Sequence, residues 1–227
     1  MPANNHKLDN PVWFSLSETH QDFALSYDNL KCYDPDYCLF GGHISNLSIT
    51  DAITRYSGLT DNFFIIGDKP AYPSHLTLKN ELVCNQMVIQ DKIDLDIAEN
   101  IIQLTTQHSQ ELFQLVTLVQ PGYFKNRTRE LGNYFGIFRN DKLVAVAGER
   151  MKMNGYTEVS AVVTHPAHTG KGYARQLVAH TVNSIFDQNK IPYLHVAESN
   201  TRAIALYEQL GFTLRRKISF WHFVQEK

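Results

Sequence analysis

Residues 162–174 read Val-Val-Thr-His-Pro-Ala-His-Thr-Gly-Lys-Gly-Tyr-Ala, and this segment gives the clearest indication of the fold. Its β-branched start predicts a strand, Pro166 favours the end of that strand, and the residues that follow open a long helix. A helix N-terminus presents unpaired backbone N–H groups and a partial positive charge. Gly170 and Gly172 would let an anion approach those groups closely, and Lys171 adds a formal positive charge. The stretch is either a cradle for a compact anion or a glycine-rich connection with a structural role only.

Spacing excludes two common phosphate-binding motifs. A Walker A loop has a glycine five residues before its Gly-Lys pair and Ser or Thr after it, whereas His165 and Gly172 hold those positions here. A dinucleotide-binding fingerprint lies between parallel strands. The strands before this stretch are instead predicted to form hairpins, with turns at Asn140–Asp141 and Asn154–Gly155.

The surrounding pattern predicts a regular order of strands and helices. After a short strand at 101–105 and helices at 109–119 and 124–131, strands follow at 134–139, 143–151 and 156–164, then a helix at 170–188 and a strand at 193–197. A further helix is capped by Ser199 or Asn200 and ended by Gly211, before a terminal strand at 217–224. Residues 1–95 are less regular, with helices predicted at 11–23 and 49–56 and strands at 22–27, 37–43, 62–66 and 76–89.

A second segment, residues 198–212, reads ESNTRAIALYEQLGF. Taken alone, Tyr207 in this segment is a half-buried core aromatic on an amphipathic helix. Taken together with residues 162–174, the chain resembles the GNAT acyltransferase superfamily over about residues 100–227. Gly-Glu-Arg-Met at 148–151 and the strand at 155–166 are similar to one subgroup, whose members carry an extra N-terminal region of this size.

The resemblance implies acetyl-CoA as co-substrate and gives roles to named residues. Backbone groups of 162–164 would hold the pantetheine arm and thioester, and one N–H there would face the carbonyl oxygen. The 169–174 loop would hold the pyrophosphate, Asn200 would hydrogen-bond the pantetheine, and Tyr207 would protonate the departing thiolate. Thr169 departs from the superfamily, which prefers Arg or Gln at that position. The implied cofactor-binding residues are Val162, Val163, Thr164, Thr169, Gly170, Lys171, Gly172, Tyr173, Ala174, Asn200 and Ala203.

Two glutamates on neighbouring strands, Glu158 and Glu149, are candidates for the base that deprotonates an amine acceptor. The alternative for either is an ion pair with Arg150 or Lys152 at a strand surface. His165 and His168 flank the glycine-rich loop, and we interpret them as solvated turn histidines.

The fold class is therefore predicted as mixed α/β (α+β), with a mostly antiparallel central sheet flanked by helices. Residues 1–95 are predicted to form an additional α+β region that covers one side of the acceptor cleft. Residues 96–227 are predicted to form the acetyltransferase domain.

Composition limits the class of protein. The 227 residues are 43% hydrophobic and 19% charged, which is typical of a globular chain, and no apolar run is long enough to span a membrane. Residues 1–100 hold 6 basic and 14 acidic side chains, a net of −8, and the remainder carries a net of +6. The basic residues are scattered, which disfavours nucleic acid and suits a compact anion. With no secretory signal pattern, three cysteines and no metal-ligand spacing, we expect a reduced cytoplasmic protein without a metal.

The leading functional hypothesis is transfer of an acetyl group from acetyl-CoA to a primary amine of a small molecule or peptide. Direct attack is favoured because no Cys or Ser lies in a nucleophile motif. The alternatives are a longer acyl-CoA or an amino-acid acceptor, or a CoA-binding sensor without catalysis. The oligomeric state stays open, with a homodimer among the options.

Overall fold

The computed structural model describes residues 5–225, so residues 1–4 of the predicted N-terminal region lie outside it, as do residues 226–227. Its strands are β1 (Ala24–Tyr27), β2 (Leu30–Tyr33), β3 (Phe40–His43), β4 (Asn62–Ile66), β5 (Leu76–Val88), β6 (Ile101–Gln103), β7 (Tyr134–Arg139), β8 (Lys142–Met153), β9 (Tyr156–Thr164), β10 (Ile191–Ala197) and β11 (Thr213–Gln225). Its α-helices are α1 (Pro11–Ser17), α2 (Thr50–Ser57), α3 (Ser109–Val119), α4 (Tyr173–Asp187) and α5 (Thr201–Gln209). Short 3₁₀ segments lie at Asn5–Asp9, Gln21–Phe23, Thr106–His108, Thr128–Leu131 and Pro166–His168.

All of these strands join one mixed sheet, in the order β1-β2-β3-β4-β11-β5-β10-β9-β8-β7-β6. Neighbouring strands run antiparallel except for β3 with β4 and β9 with β10. The predicted fold class, a mostly antiparallel sheet flanked by helices, is confirmed.

The sheet is continuous through both predicted regions. Strand β5, from the N-terminal region, lies between β10 and β11 and pairs antiparallel with both. Sequence reasoning expected residues 1–95 to form a region that covers one side of the acceptor cleft. In the structure, one strand of that region also pairs with β10 inside the central sheet. The division of the chain at residue 95 stays a prediction.

Helices α3 and α4 pack on opposite faces of the central strands. Val146 and Val163 cluster with Leu112 of α3, whereas Ala147 clusters with Leu177 of α4. Since successive residues of a strand face opposite sides, this alternation explains why β8 is almost wholly buried. The two helices hold β8 and β9 in place beneath the site described below.

Two features open the sheet between β9 and β10. Their parallel pairing covers only Ile191–Tyr193 against Tyr156–Glu158, after which the paired register ends. On the other edge of β9 the register with β8 shifts between Val146 and Gly148, and Ala161 takes a φ of +50° there. A bulge of this kind bends a strand and redirects its edge. The two strands consequently separate at their C-terminal ends.

Most predicted elements are present, with three corrections. The helix predicted at 11–23 ends at Ser17, because the His20 N–H turns back to the Ser15 carbonyl and only a 3₁₀ segment follows at Gln21–Phe23. The predicted helix at 124–131 is wrong, because Thr128 accepts a hydrogen bond from the Lys125 N–H and donates one to the Tyr37 carbonyl. These bonds compete with helical ones, and only the 3₁₀ segment Thr128–Leu131 forms. Strand β2 was not predicted, since its four residues depend on pairing with β1 and β3.

Candidate active site

A cavity of about 400 Å³ lies where β9 and β10 separate. All eleven residues predicted to bind the co-substrate line it, together with Tyr207. The eleven come from the end of β9, from the loop before α4, from the first turn of α4 and from the N-terminal end of α5, and Tyr207 lies further along α5. The other lining residues are Val119, Gln120, His168, Arg175, Arg202 and Leu206.

The loop before α4 has the backbone that its glycines predict. Gly170 and Gly172 adopt φ values of +79° and +76°, which L side chains rarely take, and Gly172 is the N-cap of α4. A Cβ built on either glycine would meet nothing within 4 Å, so the space beside the loop is open. Lys171, Arg175 and Arg202 add positive charge around this open space. The geometry and charge fit an anionic group such as a pyrophosphate.

The side chains next to the loop are engaged within the loop itself. The Thr169 hydroxyl donates to the Pro166 carbonyl at 3.2 Å, and His165 Nδ1 accepts from the Ala167 N–H at 3.2 Å. Asn200 caps α5, because its Oδ1 accepts from the Ala203 N–H at 3.2 Å. Capping leaves the Nδ2 group of Asn200 as the donor for a ligand.

The edge of β9 that faces the gap carries backbone groups outside the β9–β10 register. That register ends at Glu158, and Val162, Val163 and Thr164 line the cavity beyond it. An exposed strand edge offers alternating N–H and C=O groups to an extended ligand. The arrangement can hold a linear amide-bearing chain such as a pantetheine arm.

A second cavity, of about 500 Å³, adjoins the first and shares Tyr207 with it. Phe40, Leu82 and Cys84 of the N-terminal region line this second cavity. Its remaining lining residues are Gln120, Pro121, Tyr123, Arg150, Val159, Ser160, Ala161, Val162, His195, Val196, Ala197, Asn200, Ala203 and Phe220. We call it the acceptor cavity.

Tyr207 lies where the two cavities meet. Its side chain belongs to the hydrophobic cluster around α4, α5 and β10, and its ring packs edge-on against Phe212 at 5.8 Å. Burial raises the pKa of the Tyr207 hydroxyl to about 12. The hydroxyl is therefore protonated at neutral pH and can act as a proton donor.

Glu158 is buried behind the wall of the acceptor cavity. It accepts two hydrogen bonds from Arg150, each 2.8 Å, and one of 2.8 Å from His195 Nδ1. Burial alone would raise the pKa of Glu158, but the charge and hydrogen bonds of Arg150 and His195 outweigh burial and lower that pKa to about 2. A carboxylate so strongly held in its ionised form is a poor proton acceptor.

Glu149 lies away from both cavities. It is fully buried, forms an ion pair of 2.8 Å with Lys152, and accepts hydrogen bonds from the Asn133 backbone and from Gln188. The ion pairs that sequence reasoning offered as the alternative are present for both glutamates. The catalytic role of each glutamate stays a prediction, and the geometry gives it no support.

Sequence reasoning missed Arg150 and His195 as residues of the acceptor cavity. Arg150 follows Glu149 on β8, so the two side chains point to opposite faces. Strand alternation could have identified Arg150, because a buried Glu158 requires a basic partner on its own face of the sheet and Arg150 is on that face.

The chain matches known proteins in both sequence and structure. The family model described as FR47-like protein matches residues 134–221. The solved structure of a GNAT-family protein from Novosphingobium aromaticivorans is 27% identical in sequence to this chain. The alignment covers 98% of this chain and 100% of the other, with a TM-score of 0.87. These matches support the assignment of this chain to the GNAT superfamily.

Other similarities to this GNAT protein are more distant or shorter. The GCN5-related N-acetyltransferase-like protein of Streptococcus suis shares the fold, with a TM-score of 0.66 and 14% identity over 96% of each chain. A Vibrio cholerae protein named spermidine N(1)-acetyltransferase is 43% identical over 54 residues, and the Bacillus subtilis UPF0157 protein YqkA is 34% identical over 79 residues. These alignments cover 22% and 35% of this chain but only 31% and 22% of the two curated relatives.

Residues 5–225 contain no group of three or more His, Cys, Asp or Glu side chains placed to hold a metal ion. Over the same residues, none of the helices has the length and apolar character needed to cross a membrane.

Proposed function

We propose that this GNAT protein is an acetyl-CoA-dependent N-acetyltransferase that acts on a primary amine of a small molecule or peptide. One observation carries the proposal: every residue implied to bind the co-substrate lines a single cavity, and Tyr207 lies between that cavity and a second one. The relative named as a spermidine acetyltransferase supports an amine as acceptor. The three free, buried cysteines are consistent with the reducing cytoplasm.

The loop and the first turn of α4 would bind the pyrophosphate. Unpaired N–H groups at the helix N-terminus, together with Lys171 and Arg175, supply positive charge next to open space. The Thr169 hydroxyl is engaged with Pro166, so Thr169 would contribute mainly its backbone N–H.

The edge of β9 would align the pantetheine arm and place the thioester beside Tyr207. The amine nitrogen attacks the thioester carbonyl carbon, a C–N bond forms, and the C–S bond breaks. A backbone N–H of β9 would stabilise the negative charge that develops on the carbonyl oxygen. The Tyr207 hydroxyl would donate its proton to the leaving thiolate, and the proton lost by the nitrogen later restores that hydroxyl through solvent.

The acceptor has to reach the thioester as a free amine. Among residues 5–225, no Asp or Glu lines either cavity. We therefore propose that water removes the ammonium proton, so that kcat/KM rises with pH up to the acceptor's own ammonium pKa. For two acceptors of different ammonium pKa, the pH at which kcat/KM levels off should differ by the difference between their pKa values. The same pH for both acceptors would mean that a group of the enzyme controls the profile, and would contradict this step.

The function is tested by incubating the protein with acetyl-CoA and a panel of primary amines and measuring free thiol release. Acetylated amine, identified by mass, must appear in a 1:1 ratio with the thiol. Release that occurs only with an amine present supports the proposal, and the absence of any product across the panel contradicts it.

Two other functions remain candidates. The acceptor cavity has apolar walls, including Phe40, Leu82 and Phe220, which would also suit a longer acyl chain. A higher kcat/KM with hexanoyl-CoA than with acetyl-CoA would favour that alternative. Binding of acetyl-CoA without turnover of any amine would favour a CoA-binding sensor.

A further inference from the structure

The acceptor cavity has an unusual balance of charge for a site that receives an amine. Its lining includes one permanently charged side chain, Arg150, and no carboxylate. Glu158 lies behind the lining, with 1% of its side chain exposed, and is neutralised by Arg150. A polycation entering this cavity would lose its hydration without meeting a counter-charge. The cavity is thus poorly suited to a polyamine.

Arg150 retains donors that its partners do not use. Its Nε and Nη2 groups donate to the two oxygens of Glu158, and its guanidinium lies 4.6 Å from the Phe40 ring centroid. Among the described residues, Nη1 has no hydrogen-bond partner, and 15% of the side chain is exposed. A guanidinium presents five N–H donors in a fixed plane, so three of them, including both on Nη1, remain for a ligand.

His195, the other basic side chain of the cavity, is already saturated. Its Nδ1 donates to Glu158 at 2.8 Å, and its Nε2 accepts from the Gln86 amide at 3.0 Å. Gln86 is in turn fixed by the Leu8 carbonyl and by Arg215. The network holds Glu158, and through it Arg150, in one orientation.

The rest of the acceptor cavity is largely apolar and aromatic. Phe40 and Phe220 are buried walls, and Tyr123 is 39% exposed and stacks on Phe64 at 5.4 Å. Leu82 adds a further apolar surface. An acceptor that fills this space needs an apolar or aromatic body in addition to its amine.

We propose that the acceptor is an amino acid with an apolar or aromatic body, and that Arg150 is a specificity-determining residue that binds its carboxylate through Nη1. This inference rests on the proposed acetyl transfer and names the acceptor class. The amine of such an acceptor points to the Tyr207 end of the cavity, and its carboxylate points to Arg150. A charge-assisted hydrogen bond of this kind is stronger than a neutral one.

The wild-type protein tests the proposal with acceptors matched in their apolar body. One series compares phenylalanine with phenylalaninamide and phenylethylamine. Another compares 6-aminohexanoic acid with hexylamine. The two carboxylate compounds differ in the distance between amine and carboxylate, which is short in phenylalanine and long in 6-aminohexanoic acid. In at least one series, the carboxylate compound should exceed its neutral partner by about 10-fold or more in kcat/KM. Spermidine should be a poorer acceptor than hexylamine.

Variants then assign the preference to Arg150. Arg150→Lys keeps the charge opposite Glu158 but loses the planar donors, and should reduce the carboxylate preference, the ratio of kcat/KM for the carboxylate compound to that for its neutral partner, about 5-fold or more. The double variant Arg150→Met with Glu158→Gln removes both charges together, and should abolish the preference. Arg127→Lys is the matched control, because Arg127 also pairs with a carboxylate, Glu130, and lies 4.1 Å from the ring centroid of Tyr37, outside the acceptor cavity.

The outcomes separate this inference from the function on which it rests. Turnover of neutral amines or spermidine with no carboxylate preference overturns the inference and leaves acetyl transfer standing. If no acceptor is turned over, calorimetric titration of each compound in the presence of CoA decides. Carboxylate-dependent binding that Arg150→Lys weakens supports the site while contradicting acetyl transfer, and the absence of such binding overturns both.

Discussion

At the scale of single residues, Tyr207 is the side chain on which the proposed chemistry depends. Tyr207→Phe keeps the buried ring and removes a hydroxyl whose pKa burial raises to about 12. We expect kcat to fall about 10- to 10⁴-fold, with the upper values typical of lost general acid catalysis. The KM for acetyl-CoA should change little, because the ring still packs against Phe212.

The matched control is Tyr134→Phe, measured in the same thiol-release assay. Tyr134 is also buried, its hydroxyl has no hydrogen-bond partner among the described residues, and it lines neither cavity of the site. Its kcat should match the wild type. A wild-type kcat in Tyr207→Phe would instead show that Tyr207 is a core aromatic only.

Thr169 offers a second test at this scale. An arginine there would donate charge-assisted hydrogen bonds to the pyrophosphate, so Thr169→Arg should lower the KM for acetyl-CoA several-fold, and kcat should hold because the phosphate charge does not change during transfer. Thr169→Val is the control and should leave KM unchanged, since the wild-type hydroxyl donates to Pro166. A higher KM in Thr169→Arg would mean that this position does not face phosphate.

The two glutamates show what the sequence leaves open about single residues. Sequence reasoning offered Glu158 as a base or as an ion-pair partner, and the structure puts it just behind the cavity wall, paired with Arg150. Sequence reasoning offered Arg150 of β8 as a possible partner, but it gave no sign of His195, which lies on β10 and donates to the same carboxylate. Glu149 points to the other face of the sheet from Arg150 and lines neither cavity, and its catalytic role stays a prediction.

At the level of helices, strands and turns, hydrophobic periodicity and turn residues predicted the elements that short stretches of sequence determine. Helix α3 and strand β7 have the predicted bounds, and the turn at Asn140–Asp141 takes the positive φ values that its residues favour. The positions of β5 and of the bulge at Ala161 follow from pairing between distant segments. Such pairing leaves no mark on the periodicity of a single segment.

The ion pair of Glu158 with Arg150 joins β9 to β8, and His195 extends it to β10. The pKa of Glu158 is lowered from 4.5 to about 2 in the folded chain, so its stabilising contribution is present above pH 4.5 and is lost as pH falls toward 2. Glu158→Gln leaves Arg150 buried without its partner and should reduce the free energy of unfolding by about 3–5 kcal/mol at pH 7.

Urea unfolding at pH 7, 4 and 3 measures this contribution. The stability difference between wild type and Glu158→Gln should narrow as pH falls. Glu130→Gln is the control, because Glu130 forms the same two-bond pair with Arg127 on the exposed surface, and it should change stability little. A constant difference from pH 7 to pH 3 would contradict the assigned pKa shift.

At the scale of the whole molecule, the sheet joins the N-terminal region to the site. Strand β5 pairs with β10 along one edge and with β11 along the other, so the strand that carries His195 is held in part by the N-terminal region. Phe40, Leu82 and Cys84 bring the same region to the acceptor cavity. Strand β5 therefore contributes both to the sheet and to the lining of the acceptor cavity.

The continuity of the sheet predicts how acetyl-CoA changes thermal unfolding. A ligand at 100 times its Kd adds about 2.7 kcal/mol when it binds only the folded state, which corresponds to a rise in Tm of about 5–10 °C for a chain of this length. Because β5 lies inside the sheet, we expect one calorimetric transition that moves as a whole when acetyl-CoA is added. Desulfo-CoA should produce most of the rise, since the loop before α4 faces the pyrophosphate and not the thiol, whereas adenosine should produce little. Two transitions of which only one responds would mean that residues 1–95 unfold independently, and an unchanged Tm at millimolar acetyl-CoA would contradict the assignment of the cavity between β9 and β10.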